Sequence, residues 1–122
     1  MILDSKAMLE TAVKAGDSKR AEDIVALDVE QVSLVADYFV IMNGGSKRQV
    51  QAIAQAVLDE EAEAGVDVRR IEGKTEGTWV LLDFGDILVH IFQEEQRHYY
   101  NLEKLWSDAP LVDIDAWVSE NV

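Results

Sequence analysis

The stretch that decides the fold is residues 77–110, GTWVLLDFGDILVHIFQEEQRHYYNLEKLWSDAP. Two apolar runs, 79–82 and 87–92, flank the turn-forming sequence Asp-Phe-Gly-Asp at 83–86, and this pattern predicts an antiparallel hairpin. The charged, aromatic-rich segment that follows, 94–106, predicts one or two short helices. Two Tyr, two Trp and two Phe lie in the stretch. Such side chains suit either a recognition surface or a small core, and the sequence leaves both interpretations open.

Upstream of this stretch, helical and extended patterns alternate along the chain. Apolar residues at helical spacing over 3–15 predict a first helix, and Gly16 is positioned to end it. A short β-branched run at 24–29 predicts a strand. The almost continuously apolar run at 38–42 is typical of a strand that is buried on both faces.

A second helix is predicted between Ser46 and Gly65. Ser46 is a suitable N-cap with Gln49 at the reciprocal capping-box position, and Gly65 suits the C-terminal end. The apolar stripe of this helix predicts its buried side. Its acidic residues are expected on a solvated side: Asp59, Glu60, Glu61 and Glu63. The run at 66–72 then predicts a further strand.

The predicted order is helix, strand, strand, helix, strand, strand, strand and short helices. The strand–helix–strand unit over 38–72 predicts a right-handed parallel crossover, and the hairpin adds antiparallel strands. The fold class is therefore predicted as α/β, with a mixed β-sheet of about five strands and helices packed on it. We expect a single domain at 1–110 and an acidic C-terminal tail at 111–122.

The composition favours a small cytoplasmic protein. The chain has 122 residues, no cysteine and a formal net charge of −13. It has no apolar run of the ~20 residues that a transmembrane helix needs, and its N-terminus lacks a signal-peptide pattern. The negative charge disfavours phosphate backbones and favours basic partners, although the same charge also serves solubility.

The loop Asn-Gly-Gly-Ser at 43–46 connects a predicted strand to a predicted helix. Backbone amides at such a position can hold a phosphate, and the glycine pair is similar to the start of a nucleotidyltransferase signature. That chemistry also needs two carboxylates that converge on a metal, whereas the next strand offers only Asp67 and Glu72. Turn formation and helix capping therefore explain the loop better, and it lacks the lysine of a Walker A motif.

No set of residues in the sequence has the spacing of a catalytic or metal-binding site. The Asp-Phe-Gly at 83–85 lies between two predicted strands and is interpreted as a hairpin turn. The two histidines, His90 and His98, match no zinc-ligand pattern, and His90 is expected to be a hydrogen-bonded core or surface residue. We therefore predict no enzyme activity, no metal and no cofactor.

A resemblance to a known family covers nearly the whole chain, about residues 3–110. The motifs that carry it occur in order: ADYFVI at 36–41, RQVQAI at 48–53, EG at 72–73, WVLLD at 79–83, DILVHIF at 86–92, Glu95, Arg97, YYNLE at 99–103 and LW at 105–106. With these motifs the chain resembles the ribosomal silencing factor family, which is also called Iojap-like.

The resemblance implies both a fold and a function. The implied fold is α/β with a mixed sheet, related to nucleotidyltransferases but without their catalytic acids. The implied function is translational repression under nutrient limitation, by binding the large ribosomal subunit through ribosomal protein L-fourteen and blocking the joining of the small subunit. Homodimers off the ribosome are also implied.

We expect the docking face to be formed by the hairpin and the aromatic segment after it, although a core position stays open for each aromatic residue. The predicted partner-binding residues are Asp37, Trp79, Asp83, His90, Glu95, Tyr99 and Tyr100. Two other functions stay open: a nucleotidyltransferase-like enzyme that binds nucleotide through Gly44 and Gly45, and a dimeric adaptor with a non-ribosomal partner. A peripheral contact with ribosomal RNA is expected through the basic residues Lys47, Arg48, Arg69, Arg70 and Lys74.

Overall fold

Residues 4–95 and 109–118, which the computed structural model describes, form two long helices and five strands in the predicted order. In chain order the elements are α1 (Ser5–Ser18), β1 (Glu22–Asp28), β2 (Tyr38–Gly44), α2 (Lys47–Glu63), β3 (Arg70–Glu72), β4 (Trp79–Asp83), β5 (Ile87–Gln93) and a 3₁₀ helix (Asp115–Trp117). The backbone is also helical at Glu94 and Glu95, where the predicted C-terminal helices begin. The remainder of that prediction lies outside the described residues.

The five strands form one mixed sheet in the order β1-β2-β5-β4-β3. β2 and β5 are parallel neighbours, and the other neighbouring pairs are antiparallel. The predicted mixed sheet and the β4–β5 hairpin are therefore confirmed. β2 and β3 run in the same direction, as predicted for the unit around α2, but β5 and β4 lie between them. The sequence did not predict the parallel pairing of β2 with β5.

α1 and α2 pack on the same side of the sheet, which we call the helix face. Alternate positions of β2, β4 and β5 point to this side and join the apolar stripes of both helices. Fully buried members of this core are Leu9, Val13, Val40, Met42, Ile53, Val57, Val80, Leu82, Val89 and Ile91. Burying each such side chain contributes about 1.5–3 kcal/mol relative to leaving it in water. No helix within 4–95 and 109–118 is long and apolar enough to cross a membrane.

The first helix begins at a side-chain cap and continues past the glycine that was expected to end it. Asp4 precedes α1, and its Oδ1 accepts a hydrogen bond of 2.7 Å from the N–H of Ala7. α1 then runs to Ser18, so the predicted end at Gly16 is wrong. A Cβ on Gly16 would lie 2.5 Å from the sulfur of Met42. The glycine is therefore explained by close packing of α1 on the sheet.

The strand predicted at 66–72 forms only over Arg70–Glu72. The two valines of this run lie before the strand, where they are half-buried and pack against the helix-face core. Contact with β4 begins where the N–H of Arg69 donates to the carbonyl oxygen of Asp83 at 2.7 Å. The predicted strand boundary is wrong because Val66 and Val68, in the loop before the strand, continue its apolar pattern.

The segment 109–118, called the C-terminal segment below, packs along the edge strand β1. The N–H of Asp28 donates to the carbonyl oxygen of Pro110, and the N–H of Val112 donates to that of Ala26, both at 2.9 Å. Ile114 is buried in the helix-face core. These contacts satisfy backbone groups that an open sheet edge would leave to solvent. The division of the chain at residue 110 stays a prediction.

Glu61 is buried, although its acidic neighbours in the sequence are exposed. Its side chain has no solvent exposure, and neither carboxylate oxygen has a hydrogen-bond partner within the described part of the chain. Glu61 continues the buried stripe of α2 one turn after Val57. Burial raises the pKa of Glu61 to about 8. The predicted solvated position of Glu61 is therefore wrong, whereas Asp59, Glu60 and Glu63 are exposed as expected.

We expect Glu61→Gln to stabilise the protein at alkaline pH. The ordinary pKa of the carboxyl group is 4.5, so the folded state holds this proton more tightly than the unfolded state does. Stability therefore falls as the pH rises from about 4.5 towards about 8. Glutamine stays neutral, which removes a loss on the order of 3 kcal/mol.

Urea unfolding at a series of pH values from mildly acidic to alkaline measures this difference. Glu60→Gln changes an exposed neighbour on the same helix and is the matched control, because it should leave the pH dependence unchanged. Identical pH profiles for Glu61→Gln and the wild type would contradict the burial of a neutral carboxyl group.

Candidate recognition face

The side of the sheet opposite the two helices carries aromatic side chains at its centre, and we call it the aromatic face. On β1, β2, β5 and β4 the strand register places its side chains in three rows: Val25, Ile41, His90 and Leu81; Asn43, Phe92 and Trp79; and Leu27, Phe39, Leu88 and Asp83. These positions alternate with helix-face positions along each strand. One register therefore fixes both surfaces, and a shift by one residue would exchange them.

Four rings on this face form an aromatic cluster: Phe39, Trp79, His90 and Phe92. Trp79 stacks on Phe92 with ring centroids 5.1 Å apart, and His90 meets Phe39 edge-on at 5.5 Å. Trp79 and His90 are 6.0 Å apart, and His90 lies parallel to Phe92 at 6.3 Å. Phe39, His90 and Phe92 are buried, whereas Trp79 is half-buried. Trp79 is therefore the member of the cluster that a partner can reach directly.

The backbone of Trp79 is held by a close approach of the β3–β4 connection. Gly73 adopts a φ of +78°, and a Cβ there would lie 2.1 Å from the carbonyl oxygen of Trp79. Only glycine fits this contact without a shift of the backbone. On the other strand, the N–H of Gln93 donates to the carbonyl oxygen of Thr78 at 2.9 Å. The start of β4 is therefore fixed on both sides of the tryptophan.

A hydrogen bond between two rings sets the tautomer of His90, and burial keeps the ring neutral. The indole N–H of Trp79 donates to His90 Nδ1 at 3.2 Å. Because an indole nitrogen only donates, Nδ1 must be unprotonated and the neutral ring carries its proton on Nε2. Nε2 is buried and has no hydrogen-bond partner within the described residues. Burial lowers the pKa of His90 to about 4, so the ring is neutral at physiological pH.

Two of the predicted partner-binding residues, Trp79 and His90, lie together, and a third, Asp83, lies on the same side of the sheet beside Leu88. Asp83 is at the far end of β4, about 13 Å from Trp79 along the strand. Its Oδ1 accepts a hydrogen bond of 2.8 Å from the N–H of Gly85, which has a φ of +90°. The predicted hairpin turn is confirmed, and this contact gives Asp83 a structural role. Its role in partner binding stays a prediction.

The predicted charge partners Asp37 and Glu95 lie at opposite ends of the sheet. Asp37 precedes β2, and its N–H donates to the carbonyl oxygen of Asp86 at 2.8 Å. Glu95 is exposed just beyond the end of β5. The predicted residues Tyr99 and Tyr100 lie outside the described residues. The partner-binding roles of these four residues stay predictions.

The site also contains residues that sequence reasoning did not select, chiefly Phe39 and Phe92. Period-two alternation along β5 places Phe92 on the same side as His90. Phe39 belongs to a strand that is distant in sequence, and no local pattern shows that this strand lies beside β5. Leu81 and Leu88 are half-buried and extend the apolar surface around the cluster. The alternation signal was available for Phe92 and the two leucines, whereas Phe39 needed the tertiary pairing.

The loop before α2 is closed by its own hydrogen bonds. Ser46 Oγ accepts from the N–H of Gln49 at 3.1 Å, as predicted for an N-cap, and Gln49 Oε1 accepts from the N–H of Gly45 at 2.7 Å. The Gln49 amide also donates to the carbonyl oxygens of Lys19 and Arg20. These bonds support the interpretation of a turn and helix cap. Among the residues at 4–95 and 109–118, no three His, Asp or Glu are grouped to hold a metal ion.

A mixed sheet with helices on one side, and with half-buried Trp79, Leu81 and Leu88 beside buried rings on the other, defines a small α/β protein with a surface suited to recognition. The sequence matches the model of the family described as "Ribosomal silencing factor during starvation" over residues 2–122. The chain belongs to this ribosomal silencing factor family, and the resemblance in its motifs is confirmed.

Several relatives support this assignment. The ribosomal silencing factor RsfS of Bacillus subtilis is 55% identical over 113 residues, which cover 93% of this chain and 96% of that protein. RsfS of Halalkalibacterium halodurans is 45% identical, with 96% of this chain and 100% of that protein covered. The chloroplastic protein Iojap of Zea mays is 34% identical over 83% of this chain and 44% of the maize protein.

Two solved structures have the same fold. A crystal structure of a protein from Chromobacterium violaceum superposes with a TM-score of 0.85 at 34% identity, covering 86% of this chain and 88% of that one. One from Bacillus halodurans gives a TM-score of 0.80 at 45% identity, covering 88% and 98%. These matches confirm the α/β fold. Its relation to nucleotidyltransferases stays a prediction.

We expect the His90 ring to remain neutral well below the ordinary histidine pKa of 6.5. Because the folded pKa is lowered, the unfolded state takes up the proton first, and His90 makes stability fall as the pH drops from 6.5 towards about 4. Nitrogen-15 NMR of the imidazole should show the tautomer protonated on Nε2 with no titration near 6.5. His90→Phe assigns the signal and should flatten the acid side of the stability profile. A His90 titration near the ordinary value would contradict the buried neutral ring.

Proposed function

We propose that this protein is a translational repressor that binds the large ribosomal subunit through ribosomal protein L-fourteen. The bound protein blocks the joining of the small subunit and so lowers translation under nutrient limitation. The observation that carries the proposal is the aromatic face, in a chain that belongs to the ribosomal silencing factor family.

The aromatic face has the chemistry of a protein-binding surface. Its centre is apolar and aromatic, and half-buried Trp79, Leu81 and Leu88 lie around the buried rings. Interface cores are enriched in aromatic residues and depleted of charge. Because tryptophan is the residue type most often responsible for a large share of binding energy, we propose Trp79 as the main contact and His90 as the residue that orients its ring.

The net charge of the chain supports a basic partner. The formal charge of −13 attracts basic ribosomal proteins and accelerates their encounter with this surface. Blocking subunit joining requires a bound body that collides with the incoming subunit, and it requires no catalytic group. The N–H groups of Gly45 and Gln49 are already paired within the loop before α2, which supports this mechanism over nucleotide transfer.

A peripheral contact with ribosomal RNA forms part of the proposal. Lys47 and Arg48 are exposed in the first turn of α2, where the helix dipole disfavours cations. Arg69 is also exposed, whereas Arg70 lies 3.5 Å from Glu72 and Lys74 donates to Gln55. The positions of these two cations support a contact with phosphate groups, which would offset their unfavourable interaction with the dipole. The proposal also includes homodimers off the ribosome and a cytoplasmic location.

We expect Trp79→Ala to weaken binding to purified large subunits by about tenfold or more, the loss typical of a central aromatic contact. Sucrose-gradient sedimentation with both subunits measures binding and joining together. The wild type should co-sediment with the large subunit and reduce the fraction of joined ribosomes. Trp79→Ala should co-sediment less with the large subunit and should leave a larger fraction of ribosomes joined.

Trp117→Ala is the matched control for this experiment. Trp117 is also half-buried, but it packs against the helix-face core from the C-terminal segment. Comparable destabilisation with unchanged binding is expected for this variant. A wild-type protein that stays at the top of the gradient would overturn the ribosomal function and favour the dimeric adaptor with a non-ribosomal partner. Titration with nucleotide and Mg²⁺ tests the enzyme alternative, which measurable binding would support.

We expect Lys47→Glu/Arg48→Glu to weaken large-subunit binding most at low salt and to reduce its salt dependence. Each lost phosphate contact lowers the slope of log affinity against log salt by roughly one. Filter retention of a fragment of ribosomal RNA at several salt concentrations measures the corresponding slope for RNA without ribosomal proteins. Lys6→Glu/Lys14→Glu, with both changes on α1, has the same net charge change and controls for it. Equal slopes for the two variants would contradict a phosphate contact at α2.

A further inference from the structure

The loop between β1 and β2, residues 29–37, exposes three large apolar side chains. Leu34 is fully exposed, Val35 is 69% exposed and Val32 is 45% exposed. We call these three residues the apolar tip. Single exposed apolar residues are common on protein surfaces, whereas three within four positions form a patch that calls for an explanation.

The loop has a defined structure that holds the apolar tip outward. The N–H of Val29 donates to the carbonyl oxygen of Asp37 at 2.9 Å, which closes the base of the loop. The N–H groups of Val32 and Ser33 both donate to the carbonyl oxygen of Val29, at 3.1 and 2.8 Å. Ser33 Oγ accepts from the N–H of Val35 at 3.1 Å. The exposure of the apolar tip therefore follows from an ordered turn.

The base of the loop belongs to the aromatic face. Val29 and Ala36 are buried in the same apolar cluster as Phe39, on either side of the exposed residues. The loop therefore continues the aromatic face beyond the end of the sheet. A partner seated on the aromatic cluster would find the apolar tip at the border of the same surface.

Carboxylates surround the base of the loop. Asp28, Glu30 and Asp37 lie on it, and the backbone of Asp37 contacts Asp86 of the β4–β5 turn. Burial and then the charges of Glu30, Asp28, Asp37 and Asp4 raise the pKa of Tyr38, which reports a negative potential at this end of the sheet. Within the described residues, none of these carboxylates forms an ion pair with Lys or Arg. Among the described residues, no direct ion pair therefore neutralises the charge of these carboxylates.

We propose that the apolar tip is a second docking site, and that its occupant is a basic polypeptide segment of the large ribosomal subunit. Such a segment places an aliphatic or aromatic side chain against Leu34 and Val35 and its Lys or Arg groups near Asp28, Glu30 and Asp37. The charge distinguishes this occupant from the others: phosphate groups of RNA, anionic membranes and the same acidic loop of a second copy would all be repelled. The inference rests on the proposed binding to the large subunit.

The test is the double substitution Leu34→Ala/Val35→Ala in the full chain. Both side chains are exposed, so the melting temperature should not change. The affinity for purified large subunits, measured by sedimentation, should fall about tenfold. Ile71→Ala changes an exposed apolar residue at the opposite edge of the sheet, on β3, and should leave the affinity unchanged.

A second variant tests the charge. Asp28→Asn/Glu30→Gln keeps the oxygen of residue 28 that accepts from the N–H of residue 30. It should weaken binding about threefold at low salt and have little effect at high salt. Wild-type affinity for Leu34→Ala/Val35→Ala would overturn the second docking site while leaving the ribosomal function intact. Failure of the wild type to bind large subunits would instead overturn the proposed function and this inference with it.

A photoreactive amino acid at position 34 distinguishes the proposed basic segment from RNA and from a second copy of the chain. On the purified large subunit it should cross-link to a lysine- and arginine-rich segment of a ribosomal protein. Cross-linking to ribosomal RNA or to a second copy of this chain would overturn the proposal, as would flotation of the wild type with phosphatidylserine vesicles.

Discussion

The parallel pairing of β2 with β5 is the constraint on which the rest of the structure depends. Both strands have neighbours on each side in the sheet, so their backbone groups are paired and both of their faces have to be covered. α1 and α2 cover one face, and the aromatic cluster lies on the other. Stability and the proposed recognition therefore depend on the same two strands, because alternate residues of each strand point to the two sides of the sheet.

Burial within this framework changes the chemistry of two titratable side chains in opposite ways. Burial lowers the pKa of His90 to about 4 and raises the pKa of Glu61 to about 8. At physiological pH the folded state therefore holds His90 neutral and Glu61 mostly neutral, which is the form that apolar surroundings favour. His90 also accepts a hydrogen bond from the indole N–H of Trp79. The protonation state of the buried imidazole therefore affects the orientation of the accessible Trp79 ring.

Much of the architecture followed from local patterns. The apolar runs, the turn at Asp83 and the Ser46 cap correctly predicted the order of helices and strands, and the family motifs predicted the family. Local patterns failed at Gly16, at the start of β3 and at Glu61. In each case tertiary packing decides the outcome. Gly16 packs on Met42, β3 begins where it pairs with Asp83, and Glu61 is buried with the apolar stripe of α2.

The sequence by itself determined the α/β class, the hairpin and the family, because periodicity, turn chemistry and motif order are properties of neighbouring residues. The tertiary structure decided which strands lie side by side, and with that which side chains share a face. Phe39 joins Trp79, His90 and Phe92 only because β2 lies beside β5. The residues 77–92 supply three rings of the aromatic cluster, and the fourth comes from a distant strand through pairing that no local pattern encodes.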